Sequence, residues 1–141
     1  MEQLLEFIGN HPFLFGALLI ILGLLVSTEV WRWRNSQPRL EPMEAIRLIN
    51  SEDARVIDVR PAADFERGHI VNARNVPEDR LDSQMKDLVR RRKKPVLVCC
   101  ANGLASPKIA GRLIEAGLER VFVLKGGLQG WQQAGLPTTR N

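Results

Sequence analysis

Hydrophobic and polar positions along this chain fall into two regimes. From Phe13 to Val26 every residue is apolar or glycine. With Pro12 before it and Ser27, Thr28, Val30 and Trp31 after it, the run is about long enough to cross a hydrocarbon core of ~30 Å, and it predicts a transmembrane helix over residues 12–31. Beyond Pro38 the pattern shortens. Arg55–Arg60, Val96–Cys100 and Arg120–Leu124 read as strands, the second free of charge and so buried on both faces, and Asn75–Pro77 as a short strand cut off by its proline. Helical spacing falls between them. Pro42 opens a helix through Ile46 and Ile49, Pro61–Ile70 holds a helical turn closed by Gly68, and Leu81, Met85, Leu88 and Val89 share one face. A helix over Pro107–Ala116, stopped by Gly117, turns Ile109, Ala110, Leu113 and Ile114 inward. After Gly126-Gly127 a last helix with Leu128 and Trp131 ends at Gly135-Leu136-Pro137. Such alternation predicts an α/β domain, a parallel sheet with helices on both faces and right-handed crossovers.

The segment before the apolar run carries Glu2 and Glu6 and no Lys or Arg, unlike the basic leader of a cleaved signal peptide, so the run reads as a retained anchor. Arg32, Arg34 and Arg39 follow it. That asymmetry puts the amino terminus outside and the larger domain on the cytoplasmic side of the cytoplasmic membrane, crossed once. Trp31 and Trp33 suit the headgroup belt, Glu29 lies close enough to reach polar surroundings, and Leu4, Leu5, Phe7 and Ile8 suit a short amphipathic turn on the outer interface. Gly23 and Ser27 form a small-residue pair, either a helix-dimerisation face or simply residues that lipid tolerates. The polar stretch Asn35-Ser36-Gln37-Pro38 reads as a linker, which divides the chain into an anchor with linker over residues 1–38 and a domain over residues 39–141.

Charge adds little about partners. Glu2, Glu6 and Glu29 cancel Arg32, Arg34 and Arg39, so the net +4 belongs to the chain beyond Arg39. Arg90-Arg91-Arg92-Lys93-Lys94 follows a helix, where the dipole favours cations; it reads as a solvated helix end or as a contact with anionic lipid. Nucleic acid is not an expected partner, because no aromatic residues interleave with these charges.

Candidate chemistry centres on Cys100, at the end of the uncharged strand. Ser106 suits a helix N-cap and Pro107 the first helical position, so strand and helix are joined by a very short turn. Gly103 is the expected positive-φ residue, and the turn aims several N–H groups inward as an anion nest around Cys100. A thiol at a helix N-terminus has a lowered pKa. Against this stands the commoner fate of free cysteine, a small core hydrophobe. Cys99, on the opposite sheet face, fits that description. No metal site is expected, because adjacent cysteines on a strand cannot face one ion and His11 lies in the anchor; no cofactor is implied, and a reducing cytoplasm argues against a disulfide.

Three ordered motifs carry a family resemblance. Asp58-Val59-Arg60, Phe65-Glu66, Gly68-His69-Ile70, Ala73 and Asn75-Val76-Pro77 resemble the first signature of the rhodanese family; Gly126-Gly127-Leu128-Gln129-Gly130-Trp131 through Ala134-Gly135-Leu136-Pro137 resembles the closing one. The Cys100 loop falls where that family has its active-site loop. The layout of one transmembrane helix before a single rhodanese-like domain is similar to small bacterial membrane-anchored members. The resemblance implies sulfurtransfer through a persulfide on Cys100, with the N–H groups of Ala101, Asn102, Gly103, Leu104, Ala105 and Ser106 as its cradle. Asp58, Arg60, Glu66 and His69 match positions that are mostly structural in the family, so Asp58 and Arg60 take secondary roles. Many members carry a basic residue where this chain has Ala105, and Lys108 is then the nearest cation left to attract a dianion such as thiosulfate. Ser106 stands where related phosphatases have the arginine that clamps a phosphoryl group, which excludes that chemistry.

Two functions follow. One is a membrane-anchored sulfurtransferase that takes sulfur from a small donor and passes it to a protein persulfide or thiol acceptor. The other is a weakly active or inactive rhodanese-fold module that binds another protein at the cytoplasmic membrane face.

Overall fold

Alternating strands and helices build the part of the chain that follows the apolar run. The computed structural model describes residues 1–34, 37–91 and 93–140, without the side chains of Trp33 and Arg34. Asn35 and Ser36 of the expected linker, the Trp33 and Arg34 side chains expected at the interface, and Arg92 of the basic run lie outside the described residues. The chain divides into two units, Met1–Ser36 and Gln37–Asn141.

The first unit holds α1 (Glu2–Asn10) and α2 (Pro12–Arg34). Pro12–Arg32 is long and apolar enough to cross a membrane, by length and composition. Ser27 and Thr28 do not break this helix, because each hydroxyl donates to a carbonyl three residues back, Leu24 O and Leu25 O, at 2.8 Å.

The second unit runs β1 (Arg39–Leu40), α3 (Pro42–Glu52), β2 (Arg55–Asp58), α4 (Ala62–Arg67), β3 (His69–Ile70) and β4 (Arg74–Asn75). It continues with α5 (Leu81–Arg90), β5 (Val96–Cys99), α6 (Ser106–Glu115), β6 (Val121–Leu124), α7 (Gly127–Gln133) and β7 (Thr138–Thr139). Five strands form a parallel sheet in the order β1-β6-β5-β2-β4, with Ile57, Val98 and Val123 in one row. β5 is central and buried throughout, as its uncharged sequence requires. Alternation along it loads both faces. Val96, Val98 and Cys100 pack with Leu81 and Leu88 of α5 and Ile109, Ala110 and Leu113 of α6; Leu97 and Cys99 pack with Ala45 of α3 and Leu128 and Trp131 of α7. The fold is α/β, with helices on both faces of a parallel sheet, as the alternation predicts.

Boundaries moved where the ladder, rather than hydrophobicity, ends the strand. β2 stops at Asp58 and β5 at Cys99, so Val59, Arg60 and Cys100 lie just past the sheet. β4 starts one residue early and excludes Val76 and Pro77; β6 starts at Val121. The two-residue β1 and the antiparallel β3–β7 ribbon were not expected, being too short to show a period. Gly117, at φ +117°, closes α6 with bonds from its own N–H to Ile114 O and from Leu118 N–H to Leu113 O.

Candidate active site

β5 delivers Cys100 to the carboxyl end of the sheet, and the chain then turns through five residues into α6. The start of this turn rests on α7: Leu128 N–H donates to Cys100 O at 2.8 Å and Gln129 N–H to Ala101 O at 3.1 Å. Backbones approach so closely here that no side chain fits. A Cβ on Gly127 would lie 2.3 Å from Cys100 O and 2.7 Å from Gly103 N, and Gly127 and Gly103 have φ of +59° and +85°. The Gly126-Gly127 pair is therefore the platform of the loop. Sequence reasoning took it only for a turn; two glycines squeezed between a buried strand and a helix were the available signal.

The loop wraps the sulfur. Gly103 N–H donates to Cys100 Sγ at 3.0 Å, and Leu104 N–H to Asn102 Oδ1 at 3.1 Å. Burial pushes the Cys100 thiol up, but the Ser106 hydroxyl and the N–H groups of Ser106, Ala105 and Gly103 outweigh it, and the pKa falls below the ordinary thiol value. The neighbouring thiol behaves oppositely. Burial first, then the Asp58 carboxylate, pushes Cys99 far up in spite of Arg60, so it stays protonated and inert.

Ser106 corrects one expectation. The N-cap of α6 is Ala105, without a side-chain cap, and Ser106 is the first helical residue with Pro107 second. Its buried Oγ has no partner at ordinary hydrogen-bond geometry, yet the hydroxyl is close enough to the sulfur to favour the thiolate. Ala105 already has helical dihedrals, φ −84° and ψ −27°, so Ser106 is carried into the first turn rather than left outside it as a cap.

Ala101, Asn102, Leu104 and Ala105 line the mouth and are exposed, Leu104 to 81%. Lys108 does not stand free beside them: its Nζ lies 2.8 Å from Glu78 Oε1. Nor are Asp58 and Arg60 among the groups that shift the Cys100 sulfur. Asp58, 1% exposed, takes the Arg60 guanidinium at 2.9 Å from Nε and 2.7 Å from Nη2; Arg60 Nη2 also reaches Gly68 O, and Asn75 Nδ2 ties Asp58 O to Arg60 O. Their charges act on Cys99, across the sheet from Cys100. His69 Nδ1 donates to Phe65 O at 2.7 Å, with its ring stacked on Phe65. These residues lock the joint between β2, α4 and β4.

A parallel α/β sheet whose central strand ends at a cysteine, held by a loop of N–H groups on a Gly-Gly platform, defines a rhodanese-type domain. Residues 41–134 match the family model described as rhodanese-like domain, and the chain belongs to that family. The chain is similar to the uncharacterized protein YibN of Escherichia coli (strain K12), 35% identical over 141 residues that cover 99% of each chain. It is also similar to the thiosulfate sulfurtransferase GlpE of Actinobacillus pleuropneumoniae, 31% identical over 98 residues, 70% of this chain and 89% of that one. Among solved structures, a rhodanese-related protein from Thermoplasma volcanium superimposes with a TM-score of 0.67 at 28% identity, covering 74% of this chain and 99% of the other.

Proposed function

We propose that this protein is a membrane-anchored sulfurtransferase that holds sulfane sulfur as a persulfide on Cys100. The observation that carries this reading is the Gly103 N–H donating to Sγ at 3.0 Å, in a loop that lowers the thiol pKa. The Cys100 thiolate attacks the outer sulfur of a donor; the donor's S–S bond breaks, and its electron pair leaves on sulfite or a thiolate. A second nucleophile, a small or protein-borne thiol, then takes the terminal sulfur, and Cys100 leaves as thiolate. No electrons are gained or lost overall. The N–H groups from Ala101 to Ser106 cradle the anion on the terminal sulfur. With Ala105 neutral and Lys108 paired to Glu78, a thiosulfate dianion meets no free cation in the loop, so the site favours persulfide donors over thiosulfate.

In this reading residues 1–38 are anchor and linker, α2 spans the cytoplasmic membrane, and the domain over residues 39–141 faces the cytoplasm. The basic residues that follow the span, with none before it, support that orientation. The exposed, uncharged loop tip at Leu104 favours one second reading, a module whose loop docks on another protein.

Mass spectrometry of the full chain in detergent micelles, after incubation with thiosulfate or a low-molecular persulfide, separates the two. One added sulfur on the parent and on Cys99→Ala, none on Cys100→Ser, and discharge by cyanide or a thiol are the expected results. Equal adduct on Cys100→Ser, or none on the parent with either donor, leaves the docking module in place of the enzyme.

A further inference from the structure

The surface at the opposite end of the sheet from Cys100 is strongly basic, and Arg55 is held in place within it. Arg55, at the start of β2, sends Nη2 to Leu88 O at 3.1 Å and to Arg91 O at 3.0 Å, closing the carboxyl end of α5. Its Nε is buried and has no partner among the described residues. Arg55 lines one cleft with Asp53, Asn72, Arg74 and Arg91; Arg91 is shared with a second, lined by Arg90, Lys93 and Lys94, and Arg90 with a third, lined by Met85, Lys86 and Val89.

Most acids here are already paired. Glu52 binds Arg120, Asp53 binds Lys94 and Asp87 binds Arg74, which leaves exposed Glu115 and Glu119 nearby. Lys86, Arg90, Arg91 and Lys93 are exposed and have no carboxylate at salt-bridge distance among the described residues. Gathered beside the half-buried Arg55, whose Nε has no partner among the described residues, these like charges repel one another until an anionic surface meets them.

Register shows where the chain enters the domain. Arg55, Val96 and Val121 share the first row of the sheet, and Arg39 pairs with Val123, so Gln37 stands level with that first row. The entry point and the basic surface are thus at the same end. In the sequence two residues, Asn35 and Ser36, separate Arg34 from Gln37, three peptide steps that reach at most about 11 Å when extended.

We propose that Lys86, Arg90, Arg91 and Lys93, at the end of the sheet where Arg55 closes α5, form a docking surface for anionic phospholipid of the bilayer that α2 crosses, leaving the Cys100 loop turned away from the lipid. This rests on α2 being a membrane span. The lipid phosphates are the occupant because the tether enters at this end, and each exposed cation near such a surface strengthens association about fivefold.

The test uses the full chain in vesicles of phosphatidylcholine alone or with phosphatidylglycerol. Amide exchange over residues 86–91 is expected to slow about fivefold or more in the anionic vesicles at low salt. At about 1 M salt, where charges are screened beyond ~3 Å, the slowing should vanish. It should vanish too in the combined variant Lys86→Gln, Arg90→Gln, Arg91→Gln, Lys93→Gln, and grow in Glu119→Gln. Alkylation of Cys100 should run at one rate in both vesicles, and buried Cys99 staying unalkylated shows that each variant is folded. Equal exchange in both lipids, with the chain resisting alkaline carbonate, overturns the docking surface and spares the anchor. Release by carbonate overturns both. Protection of Cys100 by anionic lipid reverses the orientation and sinks the proposal, as does slowing in neutral vesicles by added polyglutamate to the same extent, which assigns the surface to an acidic protein.

Discussion

Cys100 and Cys99 are neighbours in sequence and opposites in chemistry. Alkylation of the folded chain should therefore go to Cys100 alone, with a rate–pH midpoint below the ~8.5 of a free thiol. Ser106→Ala should move that midpoint up, since it removes a hydroxyl that favours the thiolate. The sign for stability runs the same way. A depressed folded pKa adds stability as pH rises through it, complete above about 8.5, whereas the raised pKa of Cys99 withdraws stability above that value because the unfolded chain ionises there. Cys99→Ala should accordingly show a shallower fall in denaturation midpoint between about pH 8 and 10. Asp58 belongs to a different account. Asp58→Ala leaves Arg60, 9% exposed, without its partner and should cost about 3–5 kcal/mol by chemical denaturation, with the Cys100 alkylation midpoint unmoved. Adjacent cysteines were legible as a strand end in the sequence, and so was the lowered pKa of Cys100, because its N–H groups follow within six residues; the charges of Asp58 and Arg60 on Cys99 were not, because they come from another element.

Among the elements, α7 has the largest consequence for its size. Its first N–H groups hold the carbonyls of Cys100 and Ala101, and Gly127 is the residue that lets the two backbones meet. Gly127→Ala puts a Cβ against backbone that cannot swing aside, at a φ that costs a further ~1 kcal/mol. It should lower stability by about 2–4 kcal/mol and abolish the sulfur adduct on Cys100, both readable on the purified chain. Helices and buried strands of four or more residues were legible because their periods repeat. Lys108 was legible as a nearby cation; its pairing with Glu78, thirty positions away, was not.

For the whole molecule, the two units raise a question of sides. If α2 spans with its amino end outside, a maleimide that cannot cross the membrane should label Cys100 in inverted vesicles and leave it unlabelled in intact cells; the reverse pattern would overturn the orientation. Sequence alone determined the apolar run of membrane-spanning length, the alternation that makes a parallel α/β sheet, the signatures that place the chain among rhodanese-like domains, and the cysteine at the end of the central strand. All of these are local patterns, written in spacing and hydrophobicity. Tertiary structure decided what distant segments do to one another: that Gly126-Gly127 supports the Cys100 loop, that Ser106 faces sulfur instead of capping its helix, that Asp58 and Arg60 serve the far side of the sheet, and that Arg55 secures a basic surface at the end where the chain enters. Those relations rest on close approach between residues far apart in the chain, which no periodicity records.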